Sequence, residues 1–530
     1  MNRAIKSLVL FAALVAGLAG AARGERITGH GIFGVGSGYV SPDDAAYLQE
    51  LGVSFRRVPF AIDSSWTELE SLDMGSLEAA GAFDQTDPLV SNVFASGLRP
   101  YMVANLDIAT SAPTPENFGQ TIEQYMARYN TMTMPAGEPN GEFGDGYFNG
   151  DGYYPAMAPV PYWEILNEVT PGGDWSSLSS DLYADYLQQS RVARQAVLDD
   201  MGYVLNGAMH GPPYAGGGGT PFNTLALARP DVLENIDAVS YEADWWFRFY
   251  QPAAEPEALY PDYLGMRQYN DNMQRLGQGE FDPPTMITRG DWSGYYQWAA
   301  AVDQYGFNEL DRGANHLVKS YLFALAEGAE SVFHPVLRAD AGFSDADNWV
   351  ALIDEDGTRR SQFFAFKLMS EMVEGFEMAA VEQANEAFSS GGDTAVVLRF
   401  EDMEGESTYA VWDYFFDAYN YRVTDEGDVE KFFLLEDEYG VTTLEERPDS
   451  YLLEVGPEIV SATLTTAIPL FDEELGEWIF DTWEIEPVEG LIEVPLGETP
   501  IYVELNPIPE PVTLLLVTGA GLVALRRRRR

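Results

Sequence analysis

The segment Tyr162–Glu168 carries the residues whose types and spacing point most directly to chemistry. Its apolar side chains stop at Leu166, so the pattern predicts a short buried strand, and Asn167 and Glu168 stand where a loop begins. A carboxyl group next to a hydrogen-bonding amide, at the carboxyl end of a strand, suits general acid/base work on a sugar. The segment therefore predicts a site that protonates the oxygen of a glycosidic bond.

Strand-like and helical patterns alternate from Ile27 to about Val373, which is typical of parallel βα units. Eight such units predict an α/β fold, a (β/α)8 TIM barrel with long loops, whose strand ends converge on one face. The run Gly34–Gly38 lacks the glycine spacing of a dinucleotide-binding turn in an open doubly wound sheet, so we expect a mobile active-site loop there. The expected strands are Ile27–Val35, Val53–Phe60, Leu98–Leu106, the strand before Asn167, Tyr203–Ala208, Ile236–Tyr241, Thr285–Thr288 and Ser331–Leu337.

From about Gly375 the pattern changes to short strands separated by turn residues, which predicts a C-terminal all-β sandwich. The expected strands there are Ala395–Phe400, Tyr409–Trp412, Leu452–Val455, Thr463–Leu470, Leu491–Val494 and Ile501–Glu504. The expected organisation is a signal peptide over 1–22, a barrel over 27–374, the sandwich over 375–505 and a tail over 506–530.

The segment Tyr162–Glu168 resembles the strand-four signature of clan A glycoside hydrolases, the retaining (β/α)8-barrel enzymes, and the chain looks like their families 39 and 5. Residues 494–504 resemble the last strands of the β domain in family 39-like glycosidases. This resemblance, which covers about residues 27 to 505, implies hydrolysis of O-glycosidic bonds in a polysaccharide or oligosaccharide, without a cofactor. It also implies Glu168 as the acid/base, Asn167 as the ligand of the sugar 2-hydroxyl, Arg57 as the residue that steadies the catalytic carboxylate, Tyr241 as the strand-six aromatic residue and Trp292 as the residue after strand seven.

Strand seven departs from the family pattern, because Arg289 stands where that pattern has its nucleophilic glutamate. An arginine stays protonated and cannot attack an anomeric carbon. Asp291 could serve if a loop bends it to within ~5–5.5 Å of Glu168, and Glu242 could serve from strand six; a separation of ~6.5–9.5 Å would make the enzyme inverting. The third interpretation is a site that binds glycans without cleaving them, in which Arg289 pairs with Glu168 or grips an acidic sugar.

Both ends of the chain indicate export. Arg3 and Lys6 precede an apolar run that ends in the small residues Ala19–Ala21, as in a secretory signal peptide. Pro509–Pro511, a short apolar run and Arg526–Arg530 resemble the PEP-CTERM sorting tail of certain Gram-negative bacteria. That resemblance implies transient membrane anchoring, removal of the tail by an exosortase-type enzyme, and delivery to the cell surface or the extracellular matrix.

Composition narrows the range of partners. The net charge of −54, from 84 acidic and 30 basic residues, repels nucleic acids, so we expect no nucleic-acid partner. The chain has no cysteine and therefore no disulfide or thiolate metal site. His210, His316 and His334 are too scattered in sequence to predict a metal site. We expect a structural hydrogen bond, rather than a sugar contact, for His210 and His334.

Overall fold

The structure is a computed structural model of the 530-residue chain. The predicted signal peptide lies outside the residues that it describes, as do the part of the predicted tail beyond Ile508 and the predicted site residues Asn167, Glu168 and Trp292. The described residues are 33–36, 44–63, 66, 69, 71–95, 98–107, 112–130, 160, 162–166, 179–197, 203–210, 236–244, 285–291, 309–326, 329–340, 350–373, 377–383, 395–402, 405–413, 419–423, 429–433, 449–497 and 499–508.

Eight parallel strands close into a barrel, in which each strand pairs with the next one along the chain and the last pairs with the first. All eight strands predicted from the sequence pattern are present. They are β1 (Phe33–Val35), β2 (Phe55–Asp63), β3 (Arg99–Asp107), β4 (Tyr162–Ile165), β5 (Tyr203–His210), β6 (Ala238–Asp244), β7 (Thr285–Asp291) and β8 (Ala329–His334).

Within the described residues, helices follow six of these strands, namely β1 to β4, β7 and β8, in agreement with the predicted βα units. Side-chain oxygens cap three helix starts: Asp73 accepts from the N–H of Ser76 at 2.9 Å, Thr114 from Asn117 at 3.2 Å, and Ser179 from Leu182 at 3.1 Å. The helices are α1 (Ala45–Glu50), α2 (Met74–Ala79), α3 (Thr86–Ala95), α4 (Pro115–Asn130), α5 (Ser180–Val197), α6 (Glu309–Ala326) and α7 (Ser361–Val373).

The barrel strands are buried on both faces, as expected of parallel strands with helices outside and side chains inside. An outer core lies between strands and helices, and it contains Met102 and Trp163 together with Tyr125 and Tyr183 of the helices. A separate inner layer fills the barrel; its members are Phe55, Tyr101, Val103, Tyr162, Ala238 and Phe333. Successive residues of a strand therefore alternate between inner layer and outer core.

The first glycines of the run Gly34–Gly38 pack β1 against β8. A Cβ atom on Gly34 would lie 2.5 Å from the ring of Phe333, and one on Gly36 would meet the backbone of Pro335. The expected mobile loop is therefore wrong for Gly34 and Val35, which belong to β1, and the N–H of Gly36 donates to the carbonyl of His334. Glycine is required here for close approach of two strands; residues 37 and 38 lie outside the described part.

The all-β content predicted after Gly375 is observed. The strands are β9 (Glu377–Gln383), β10 (Ala395–Glu401), β11 (Ser407–Asp413), β12 (Tyr419–Val423), β13 (Val429–Phe433), β14 (Ser450–Glu454), β15 (Ile459–Thr466), β16 (Leu470–Asp472), β17 (Glu477–Ile479), β18 (Thr482–Ile485), β19 (Leu491–Pro495) and β20 (Ile501–Pro507). A six-stranded antiparallel sheet has the order β18-β15-β20-β11-β10-β9, and three two-stranded sheets pair β12 with β13, β14 with β19, and β16 with β17. Six of these strands (β9, β12, β13, β16, β17 and β18) are not among the predicted ones.

The large sheet packs on two sides. On one side, Val397 and Leu464 face the β14–β19 pair. These two residues and the apolar side chains of that pair belong to one cluster, which we call the β core. Val396 and Leu398 face the other way and join the outer core of the barrel, where Trp412 meets Phe323 of α6 at 5.3 Å between ring centroids. The β region thus rests on the last helices of the barrel. In the described part of the chain, no helix has the length and apolar character needed to cross a membrane.

Candidate active site

A buried ion pair lies inside the barrel next to the end of β4. The guanidinium of Arg57 on β2 donates from Nη2 to Oε1 of Glu164 at 2.9 Å. Tyr101 on β3 donates its hydroxyl to the other carboxylate oxygen, also at 2.9 Å. The Arg57 and Glu164 side chains are 4% and 0% exposed. Three neighbouring strands therefore hold one carboxylate in the interior of the barrel.

Burial decides the protonation state of the Tyr101 hydroxyl. Burial, and then the negative charge of Glu164, raise the pKa of Tyr101 well above its usual value, so Tyr101 remains a hydrogen-bond donor. The carboxylate accepts from a cation and a neutral hydroxyl, which together offset part of the cost of removing its charge from water. Glu164 and Tyr101 were not among the predicted site residues. Their inward strand positions, of the same parity as Tyr162 and Val103, are the signal that could have found them.

Arg57 is predicted to steady the catalytic carboxylate, and the structure places it on Glu164, four residues before Glu168. β4 ends at Ile165, so the ion pair stands one residue before the end of the strand. The predicted buried strand is confirmed, because Tyr162 to Leu166 are all fully or almost fully buried.

Leu166 has a left-handed backbone with φ of 63°. This conformation costs a residue other than glycine roughly 1–2 kcal/mol, and it is seldom found outside tight turns and functional sites. Its side chain is fully buried in the outer core, and its N–H still donates to the carbonyl of Ala104 on β3 at 2.8 Å. The chain therefore leaves β4 through one strained and well-anchored residue, directly before Asn167.

The register of β5, β6 and β7 brings together residues that are far apart in sequence. His210, the last residue of β5, pairs with Glu242 of β6, and Glu242 pairs in turn with Arg289 of β7. These three positions form one row across adjacent strands, close to the carboxyl ends where a barrel builds its site. Tyr241 pairs with Ile287 on β7, before an irregularity in the register.

The expectation that Asp291 lies in a loop is wrong. β7 continues beyond Thr288 to Asp291, and β6 continues beyond Tyr241 to Asp244, with Asp244 and Asp291 as register partners. Glycine and aspartate are poor strand formers, but two strands that extend each other by pairing override that preference. Glu242 and Asp291 are therefore strand residues, and Trp292 follows directly after β7.

The expectation of a structural hydrogen bond is confirmed for His334. Its ring is fully buried, with Nδ1 2.8 Å from the hydroxyl of Tyr321 and Nε2 2.8 Å from the carbonyl of Val350. Burial lowers the pKa of His334 to about 4, so the ring is neutral, and Nε2–H donates to Val350. Among the described side chains, no three His, Asp or Glu groups gather as metal ligands.

Comparison with known proteins identifies the fold. No model of a known protein family matches the sequence, and no curated protein matches it either. A glucosidase from Croceicoccus marinus shares the structure with a TM-score of 0.53 and 16% identity, over 90% of this chain and 95% of that one. The chain therefore shares its (β/α)8 barrel fold with that glucosidase.

Two further solved structures align over most of the chain. A family 39 glycoside hydrolase from Bacteroides cellulosilyticus WH2 has a TM-score of 0.49 and 12% identity, over 89% of this chain and 80% of that one. A family 51 α-L-arabinofuranosidase from Bifidobacterium longum has a TM-score of 0.49 and 14% identity, over 88% and 89%.

Proposed function

We propose that this protein is an exported glycoside hydrolase that cleaves O-glycosidic bonds in a polysaccharide or oligosaccharide. Glu168 is the general acid, and Glu242 is the second carboxylate. The observation that carries the proposal is the row of His210, Glu242 and Arg289 near the carboxyl ends of β5, β6 and β7, in a barrel fold shared with a glucosidase.

In this mechanism the two carboxyl groups have different protonation states. Glu168 is protonated and delivers its proton to the glycosidic oxygen, while Asn167 holds the sugar 2-hydroxyl. Glu242 is ionised, and the neighbouring position of Arg289 favours that form, because a nearby cation stabilises a carboxylate. Arg289, at the family's nucleophile position, thus supports a nucleophile or base on the adjacent strand. Tyr241 and Trp292 offer aromatic faces to the sugar rings.

Asp291 is the other candidate for the second carboxylate. It is the register partner of Asp244, and an acidic residue at the neighbouring strand position is a less favourable setting for an anion than an arginine. Glu242 next to a cation is therefore the better anionic partner for Glu168. The carboxylate separation decides the stereochemical course, with retention at ~5–5.5 Å and inversion at ~6.5–9.5 Å.

A second candidate function is glycan binding without hydrolysis, at the cell surface or in the exopolysaccharide matrix. Arg289 favours it, because a cation stands at the family's nucleophile position. Under either function, the proposed route to the surface uses the N-terminal signal peptide, transient anchoring by the C-terminal tail and an exosortase-type enzyme that removes that tail.

The experiment is a screen of the purified protein for reducing-sugar release from polysaccharides, with Glu168→Gln, Glu242→Gln and Asp291→Asn as variants. We expect both glutamate variants to lose roughly a thousandfold or more in kcat, as for residues that act on the reacting atoms. We expect Asp291→Asn to lose less than about tenfold in kcat, because under this proposal Asp291 does not act on the reacting atoms.

The outcomes separate the alternatives. Full activity of Glu168→Gln would refute the assignment of the acid, and loss confined to Asp291→Asn would move the second carboxylate from Glu242 to Asp291. Glycan binding without release, in wild type and variants alike, would support the non-catalytic function. Proton NMR of the first-formed anomer would show retention or inversion.

A further inference from the structure

We infer that Leu166 is a positioning residue for the acid: its left-handed backbone, held by packing on the helix side of β4, fixes how the chain enters Asn167 and Glu168. This inference rests on the proposed function. It starts from the geometry of Leu166 itself, a residue with φ of 63° and a fully buried side chain.

The alternation of side chains along β4 breaks at Leu166. Tyr162 and Glu164 lie inside the barrel, where Tyr162 belongs to the inner layer and Glu164 binds Arg57. Trp163 and Ile165 lie in the outer core. An unbroken strand would return the next side chain to the interior, but Leu166 also lies in the outer core. The left-handed step therefore places two successive side chains on the helix side and ends the regular strand.

The residues before this step are held from both sides. Inside the barrel, the carboxylate of Glu164 accepts hydrogen bonds from Arg57 and Tyr101, at 2.9 Å each. Outside, the hydroxyl of Tyr183 on α5 donates to the carbonyl of Ile165 at 3.2 Å. The N–H of Leu166 keeps its bond to the carbonyl of Ala104 at 2.8 Å. A strained conformation persists only when its surroundings over-determine it, and these bonds do so.

Leucine at position 166 can fix the direction of the backbone, which glycine could not. Glycine would adopt φ of 63° without strain, but it would adopt other conformations as readily. The leucine side chain adds an anchor in the outer core, so the backbone direction is fixed at the cost of strain. Proton transfer needs a heavy-atom separation of ~2.6–3.2 Å, and a displacement of about 1 Å costs roughly a hundredfold in rate. Fixing the residue two positions before Glu168 therefore serves acid catalysis.

The test uses Leu166→Val in the full-length protein, because a β-branched side chain opposes a left-handed backbone while keeping the site apolar. The matched control is Leu106→Val, the same change at a residue of β3 that is buried in the same outer core and has no positive φ. Thermal unfolding reports the packing loss in both variants.

The substrates are pairs of 2,4-dinitrophenyl and phenyl glycosides in glucose, xylose and arabinofuranose series, compared by kcat/KM. Dinitrophenolate leaves without a proton, whereas phenol needs the acid. For Leu166→Val we expect kcat/KM to fall about tenfold or more on the phenyl glycoside and less than about threefold on the dinitrophenyl glycoside. For Leu106→Val we expect equal, small changes on both. For Glu168→Gln we expect the loss of kcat/KM to be again greater on the phenyl glycoside than on the dinitrophenyl glycoside, by a larger factor than for Leu166→Val.

Equal losses of Leu166→Val on both substrates, or no loss on either, would overturn the inference and leave the proposed function standing. If Leu166→Val does not fold, Leu166→Gly replaces it; its freed backbone gives the same split, and equal losses on both substrates again contradict the inference. A wild-type protein that releases neither phenol in any series, and no reducing sugar from any polysaccharide, would overturn the proposed function and the inference with it.

Discussion

The interior of the barrel and the β core are built on different principles. Next to β4, the barrel encloses an ion pair between Arg57 and Glu164, and the strand ends in a left-handed leucine. The β core, which joins the large sheet to the β14–β19 pair, is a cluster of apolar side chains such as Val397 and Leu464. Both regions are fully buried, so exposure to water does not explain the difference.

The difference indicates where the molecule accepts a cost in stability. Burying two charges and holding a leucine at positive φ are both unfavourable, and an apolar core of the same volume is often at least as stable. Such costs concentrate at sites that do chemistry. The contrast thus supports the end of β4 as the functional end of the barrel, and the β core as a region that contributes stability alone.

The largest expected effect comes from breaking the ion pair. Glu164→Leu leaves Arg57 as a buried cation without its carboxylate, and removing one partner of such a pair costs about 3–5 kcal/mol in the free energy of unfolding. Because Glu164 is in β4, four residues before the proposed acid, we also expect kcat on a poor leaving group to fall roughly tenfold or more. Denaturant unfolding and glycoside hydrolysis measure the two effects.

Leu464→Ala in β15 is the matched change in the β core. It removes a fully buried leucine side chain and should cost about 2–5 kcal/mol in unfolding free energy, with kcat unchanged. A loss of kcat in Leu464→Ala as large as in Glu164→Leu would remove the contrast between the two regions.

The sequence predicted the features that have a local pattern of residue types, and it missed those that depend on pairing between distant segments. The alternation of apolar runs and helical segments predicts the eight barrel strands, because parallel strands buried on both faces read as continuous apolar runs. The short strands after Gly375 follow from turn residues between alternating patterns. Strands with little apolar pattern, such as β9 and β16, form by pairing with neighbours that are distant in sequence, which a local pattern does not record.

The candidate site was less predictable than the fold, because part of it depends on pairing between distant strands. Asn167 and Glu168 were predicted from one continuous segment, whereas the row of His210, Glu242 and Arg289 depends on the register of three strands. Register also extends β7 to Asp291, beyond the strand end expected at Thr288. The left-handed backbone of Leu166 has no signature in residue type, because positive φ is usually a property of glycine or asparagine.

A third, smaller effect concerns His334, a titratable group in the outer part of the barrel. His334 is neutral and fully buried, with a pKa of about 4 against an ordinary value of 6.5. As pH falls from 6.5 to 4, the unfolded chain binds a proton at this ring while the folded protein does not, so the free energy of unfolding decreases. Between pH 7 and pH 5 the expected loss is about 2 kcal/mol.

The control for this pH effect is His334→Gln, which keeps polar atoms near Tyr321 and Val350 but does not titrate. Carboxylates titrate in both proteins, so the quantity of interest is the difference between wild type and variant at each pH. We expect that difference to shrink as pH falls from 7 to 5. A difference that stays constant over this range would show that His334 takes up its proton in the folded state.

The smallest expected effect tests the strain at Leu166 through the order of two substitutions. Within a regular strand, alanine is more stable than glycine by about 0.5–1 kcal/mol, because glycine loses more backbone freedom on folding. At φ of 63° the order reverses, since alanine carries the left-handed penalty of roughly 1–2 kcal/mol and glycine does not. We expect Leu166→Gly to unfold at a higher temperature than Leu166→Ala, although it has the smaller side chain. At Leu464, also buried but without a positive φ, we expect the ordinary order. The same order at both positions would mean that Leu166 carries no strain, and that the two interiors differ in charge alone.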